Sequence, residues 1–248
     1  MIVYIKVLGS NPFFDAYINS DLIGKLLFLS LIGLSILSWV VLVYKYRQTK
    51  SARQGAKRFL LNFREKRHSP LTVDTSLTEH TNPFCNIYLS LKQYAVDLLT
   101  KNRRFGQPTA TDTPTFLSPS DIDLVGLKLS GSISTETARL EKNLYLLSTV
   151  YTLGPFLGLL GTVWGILVTF SDPAAFSGSG SNQVILGGIS LALVTTVLGL
   201  VDAIPALIGY NYLKSSIAGF EIEMECFANE ILASVELQYR QVDVKRHD

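Results

Sequence analysis

Residues 144–170 read LYLLSTVYTLGPFLGLLGTVWGILVTF, and no Asp, Glu, Lys or Arg occurs from Asn143 to Ser171. A helix needs roughly 20 apolar residues to cross the hydrocarbon core of a bilayer, so this run is long enough. After Asp172 a second uncharged run extends from Pro173 to Val201, crosses the single acid Asp202, and continues to Leu213. The connection at residues 171–183, SDPAAFSGSGSNQ, is rich in Gly, Ser and Pro, as a tight turn outside the membrane would be. The reading is two membrane-spanning helices joined as a hairpin. Gly154, Gly158, Gly161 and Gly165 recur at helical spacing on the first, and Gly188, Ala192, Thr195, Gly199, Ala203 and Ala206 on the second. Small residues in such rows let helix backbones approach closely, a main source of helix association in lipid. The hairpin is therefore built to pack against other helices, and one chain supplies few of them.

The rest of the composition agrees with a membrane protein. The chain is 48% hydrophobic with a net charge of only +2, and its mean hydropathy is +0.29. Residues 1–21 do not follow the order of a cleaved leader, because Lys6 is followed at once by Gly9, Ser10, Asn11 and Pro12. A short helix lying on the membrane surface fits NPFFDAYINSD better. A third apolar run, Leu26–Tyr44, lies between Lys25 and Lys45, with Tyr44 placed as an interfacial aromatic. Lys45, Arg47, Lys50, Arg53, Lys57, Arg58 and Arg64 follow it directly, whereas 171–183 has no Lys or Arg. Excess Lys and Arg beside a span mark its cytoplasmic side. The expected order is a periplasmic segment 1–21, a span 22–44, a cytoplasmic helical domain 45–143, a span 144–170, a periplasmic loop 171–183, a span 184–210 and a cytoplasmic C-terminal helix 211–248. The fold class is an all-α membrane protein with three transmembrane helices and long cytoplasmic helical extensions. The basic run beside the first span fits anionic lipid head groups better than nucleic acid, so no nucleic-acid partner is expected.

Inside the cytoplasmic domain, helices are expected from about Tyr44 to Arg67, from about Pro83 to Arg104, and from near Ser120. In the second, Phe84, Ile87, Leu91, Tyr94 and Leu98 share one face. In the third, Asp121 and Asp123 stand in the first turn. The Pro-, Thr- and Ser-rich stretches 68–82 and 105–119 read as linkers. Glu136, Leu140, Glu141 and Leu144 are expected to lead into the hairpin without a break. After Tyr212, Ile217, Phe220, Met224, Phe227 and Ile231 step at helical spacing. The last span is therefore expected to continue as one long helix packed on 84–104 and 120–142, with Cys226 buried or half-buried there.

No nucleophile–base pair, phosphate loop or CxxC occurs, so the chain does not read as an enzyme. His68, His80 and His247 have no metal-ligand spacing, and neither metal nor cofactor is expected. Gly-Ser-Gly-Ser at 178–181 is a turn, since no strand precedes it. The candidates for function are polar residues inside the membrane, which are costly there.

The words GPFLGLLGTVWGI and LGLVDAIPALIGYN carry a resemblance to the MotA/TolQ/ExbB family of proton-channel subunits. That resemblance implies a homo-oligomeric ring, a pentamer, in the bacterial inner membrane. Its pore would hold the single span of a TolR- or ExbD-like partner, and protons would be the coupling ion. Work would pass to a TolA- or TonB-like protein that reaches across the envelope. On the same grounds Thr162 and Thr196 match pore threonines, with Thr195 adjacent. The alternative for each is a hydroxyl bonded back to its own helix. Pro155 and Pro205 match family prolines, each removing one helix hydrogen bond and allowing a kink. Gly158, Gly161, Gly165 and Gly199 serve packing. The chain departs from the pattern at Leu191, where relatives often carry a Glu in the proton path. Asp202 lies on one stripe with Leu191, Thr195 and Leu198, about three turns further on, and is the acid that could replace it. The alternative is that the helix emerges near Asp202, which then meets head groups and water. Two rivals share the sequence evidence: a passive scaffold ring without ion flow, and a small-molecule transporter. The transporter reading predicts an internal repeat, and none is visible.

Overall fold

The computed structural model describes residues 17–18, 20–65, 70–72, 82–105, 116–171 and 181–239. The expected surface helix at the N-terminus, most of both linkers and residues 172–180 of the hairpin turn lie outside the described residues. Five long helices follow in chain order: α1 (Leu22–Glu65), α2 (Pro83–Phe105), α3 (Pro119–Glu141), α4 (Leu144–Ser171) and α5 (Ser181–Tyr239). Three of them, α1, α4 and α5, are long and apolar enough to cross a membrane, and the expected spans fall within them. Pro155 and Pro205 lie inside α4 and α5, and both helices run on past them.

The helices divide into two compact units. One contains α1 up to Lys45, α4, and α5 up to Leu213; the other contains the remainder of α1 and α5 together with α2 and α3.

The second unit is a water-type bundle with an aromatic core. Phe84 stacks on Phe227 at 4.4 Å and on Phe220 at 5.9 Å, with ring planes nearly parallel. Phe59 and Phe63 meet Phe227 edge-on. These rings are all but fully buried, and aromatic pairs in such offset or edge contacts add to the gain from burial. The apolar stripe expected on the C-terminal helix is therefore its core face: Ile217, Phe220, Met224, Phe227 and Ile231 are each at most 2% exposed. Cys226 corrects the expectation made for it. It is exposed, because it stands one residue, about 100° of helix, away from Phe227. It lines a shallow apolar groove with Ala56, Leu60 and Ile222 instead. The buried thiol is Cys85, and burial pushes it above the ordinary thiol range.

Helix α3 starts at a capping box. Ser118 accepts from the Asp121 amide, and the Asp121 carboxylate accepts from the Ser118 amide at 3.0 Å and from Asn102 at 2.9 Å. Burial acts to raise the Asp121 carboxyl, but the Ser118 amide, the Asn102 and Ser118 side chains and Lys101 together hold it below the usual carboxylate range. At its other end α3 does not run on into the hairpin as expected. It stops at Glu141, and α4 begins at Leu144. Between them Asn143 sits at φ 70°, in the left-handed region. Asn is among the few side chains that tolerate this region, and a left-handed residue just past a helix end is a common stop.

Candidate functional site

In the membrane unit the row of small residues is a seam. Helices α4 and α5 run antiparallel with Gly154, Gly158, Gly161, Gly165 and Thr169 of α4 buried along one face. On α5 the matching face is Gly188, Ala192, Thr195, Gly199, Ala203 and Ala206. The approach is backbone to backbone. A methyl group placed on Gly154 would sit 2.9 Å from the carbonyl oxygen of Gly199, and one on Gly199 would collide with the carbonyl of Gly154. One on Gly158 would meet the Thr196 Cα at 3.0 Å. Gly161 lies against the Thr195 side chain, and Gly165 against Ala192. With only small side chains between them, the backbones gain dispersion contact along the seam, which in lipid replaces the missing hydrophobic drive.

The seam has two edges. Successive residues turn by about 100° along a helix, so a residue following a seam position points to one side and a residue preceding one points to the other. Because the helices are antiparallel and face each other, the same step along either chain turns to the same side. Thr162 follows Gly161, and Thr196 follows Thr195, so both threonines share one edge. Their seam neighbours touch, which places them within about one turn of each other in height. Trp164 precedes Gly165, and Asp202 precedes Ala203; they occupy the opposite edge. Helix α1 lies along that opposite edge. The Trp164 indole N–H donates to the Asp21 carboxylate at 2.9 Å, Asp202 is hydrogen-bonded to the Ser35 side chain, and the Leu42 side chain lies against Gly209.

The candidate residues are therefore not one cluster. Thr162 is half-buried, and its hydroxyl donates to the Leu159 carbonyl at 2.7 Å. The Thr196 hydroxyl donates across the seam to the Gly158 carbonyl at 3.2 Å. Thr195 is 1% exposed, enclosed in the seam against Gly161, with its hydroxyl on the Ala192 carbonyl at 2.8 Å. Asp202 is half-buried on the α1 edge. A threonine hydroxyl that donates to a carbonyl keeps its oxygen lone pairs. Thr162 and Thr196 thus present acceptors outward, suited to a donor such as a protonated carboxylic acid rather than to a carboxylate. Ser35 was not visible as a partner for Asp202 in the sequence, because stepping along one helix gives the face of a residue but not which neighbour covers it.

Comparison with known proteins decides the family. Residues 111–226, from before α3 to beyond the third span, match the MotA/TolQ/ExbB proton channel family. Those residues form a MotA/TolQ/ExbB family domain. It is 28% identical to the Tol-Pal system protein TolQ of Haemophilus influenzae, over 88% of this chain and 91% of the relative. It is 24% identical to the biopolymer transport protein ExbB of Pseudomonas putida over 88% of this chain, but spans only 62% of that relative. With the ExbB of Helicobacter pylori the identity is 46% over 36% of this chain and 61% of the relative. These relatives are named for the Tol-Pal system and for ExbB biopolymer transport, and three helices of this chain are long and apolar enough to cross a membrane. Both halves of the glycine seam fall within the matched residues.

Proposed function

We propose that this chain is the multi-span subunit of an inner-membrane stator, in which a homo-oligomeric ring, a pentamer, surrounds the single span of a TolR- or ExbD-like partner. The N-terminus is periplasmic and the C-terminus cytoplasmic, as the basic run after the first span requires. Proton entry changes the partner, and the change is passed to a TolA- or TonB-like protein that acts on the outer membrane.

The observation that carries this reading is the free edge of the seam. It bears Thr162 and Thr196 at nearly one height, on the side of the hairpin away from α1, and both hydroxyls present acceptor oxygens. A partner's aspartic acid at that level is bound when protonated and disfavoured when charged, since a charge in a low-dielectric corridor is costly. The proton gradient then cycles the acid between two states of unequal fit. Thr195, enclosed in the seam, fixes the spacing of the two helices rather than meeting the acid.

A second reading has its own support. Both threonine hydroxyls are already satisfied by backbone carbonyls, and Leu191 stands where relatives often carry an acid. Both features suit a ring that only holds its partners. Proton flux separates the two readings. In vesicles containing this chain with its single-span partner, a gradient drives proton entry, and Thr162→Val lowers the rate by about tenfold, the equivalent of one hydrogen bond of about 1.4 kcal/mol, while Thr162→Ser keeps it. No flux in the wild type supports the scaffold and removes the proton-channel reading.

A further inference from the structure

The second unit carries two apolar patches that its own helices leave uncovered. We propose that they fit each other between copies: the leucine ridge of α3 in one copy sits in the groove between α1 and α5 of the next. The ridge is Leu124 and Leu127, 43% and 72% exposed. They are neighbours on the outward face of α3, while Ile122, Val125 and Leu129 hold its core side. The water-facing side of a helix is ordinarily charged or polar, and here it presents leucines. The groove has a volume of about 320 Å³, with Ala56, Leu60, Ile222 and Cys226 along it. Ile222 is 60% exposed there.

Charge selects a second copy as the occupant. Of the charged side chains lining the groove, Glu223 is paired with Arg53 at 3.3 Å and Glu230 with Arg64 at 3.4 Å. Lys57 also lines it and makes no ion pair among the described residues. Asp123 is the matching acid on the ridge. It is exposed, and it too makes no ion pair among the described residues. Lys128, beside Leu127, lies over the Tyr94 ring at 5.1 Å, so Asp123 gives the ridge its charge. Asp123 stands four residues before Leu127, and Lys57 three before Leu60. Each patch thus sets its charge one helical turn from its apolar contact. A copy that docks Leu127 in its neighbour's groove can bring Asp123 to Lys57. Ridge and groove lie on different helices, so each copy fills one groove and leaves its own for the next. A head-to-tail contact of this kind closes into a ring when the rotation between copies allows it. The inference rests on the ring proposed above and names surfaces that join its copies.

Cross-linking of the full chain in lipid vesicles tests this, with exposed Cys226 as a native handle in the groove and Cys85 buried. In Leu127→Cys a short bis-maleimide is expected to give covalent trimers and larger species on a denaturing gel. The wild type, and Leu127→Cys combined with Cys226→Ser, stay monomeric on the same gel. Asp123→Lys or Lys57→Asp, each added to Leu127→Cys, lowers the yield by about fivefold, and the two together restore it. A yield that neither reversal changes overturns the Lys57–Asp123 pairing. The native mass of the untreated chain is read in parallel. Where it shows a ring, absence of product, or product that stops at the dimer, overturns the contact and leaves the ring standing. A monomeric native mass removes both. Cys226 that labels fully with a simple maleimide in the ring, and is shielded only when oleate is added, marks a fatty-acid groove and overturns the contact between copies.

Discussion

The two units of this chain solve helix packing in opposite ways. In the membrane unit the helices meet backbone to backbone, the α-carbon side of Gly154 facing the Gly199 carbonyl and that of Gly199 facing the Gly154 carbonyl, with Ala192 and Ala203 in the same seam. In the other unit the helices meet through aromatic rings, Phe84 stacked on Phe227. Water rewards the burial of large apolar surface, so a soluble bundle gathers its biggest side chains between its helices. Lipid gives no such reward, so membrane helices gain by removing side chains and bringing backbones together. The distribution of large residues shows the inversion. Phe156, Leu159, Val163 and Phe170 of α4 are exposed, while Phe59, Phe63, Phe84, Phe220 and Phe227 are hidden. Ion pairs follow the same division. Arg53 with Glu223 and Arg64 with Glu230 lie on the second unit, whereas Asp202 is the one charged residue in the stretches Leu26–Tyr44, Leu144–Ser171 and Ser181–Leu213.

If the contrast is sound, truncation should damage the aromatic bundle and enlargement should damage the seam. The largest effect is expected from Phe227→Ala, which empties the centre of the aromatic core. It should cost about 3–5 kcal/mol, seen as a lower thermal midpoint and faster proteolysis of the helices of the second unit, with the spans intact. A smaller loss, about 1–3 kcal/mol, is expected from Gly199→Ala, whose new methyl meets the Gly154 carbonyl. Gly33→Ala on α1 is the matched control, because nothing lies within 4 Å of the added group. Unfolding both variants in mixed micelles checks the pair, and equal loss in the two would break the comparison. The smallest effect concerns pH at the start of α3. Asp121 has its carboxyl lowered in the folded chain, so its contribution is present above the unfolded value, about 3.9, and disappears as pH falls through the folded one. The difference in thermal midpoint between wild type and Asp121→Asn should accordingly be full at pH 7 and close on acidification below about pH 4.

The sequence carries the spans and the seam because both are written in single-helix terms: uncharged length, and small residues at spacings of three and four. The C-terminal stripe is legible for the same reason. What stays hidden is whatever depends on a second helix. Asp202, Thr195 and Leu198 form one stripe in the sequence, yet Thr195 meets α4 and Asp202 meets α1, because a stripe on a central helix is shared between two neighbours. Cys226 looks internal by composition, but its place is set by a turn of about 100° from Phe227. The break at Asn143 is a local backbone choice with only a permissive residue to announce it. The side chain of Leu191 lies outside the described residues, so its departure from the family pattern is known from sequence alone.

The backbone contact of Gly154 with Gly199 bears on how such a subunit can move. Two rods joined with so little pliable filler resist sliding, since over much of the joint each offers the other a rigid ridge of peptide rather than a bed of rotatable side chains. They behave as one plank. Tilting or swivelling in the bilayer must carry both rods together, and the play needed for a mechanical cycle is left to the plank's two margins.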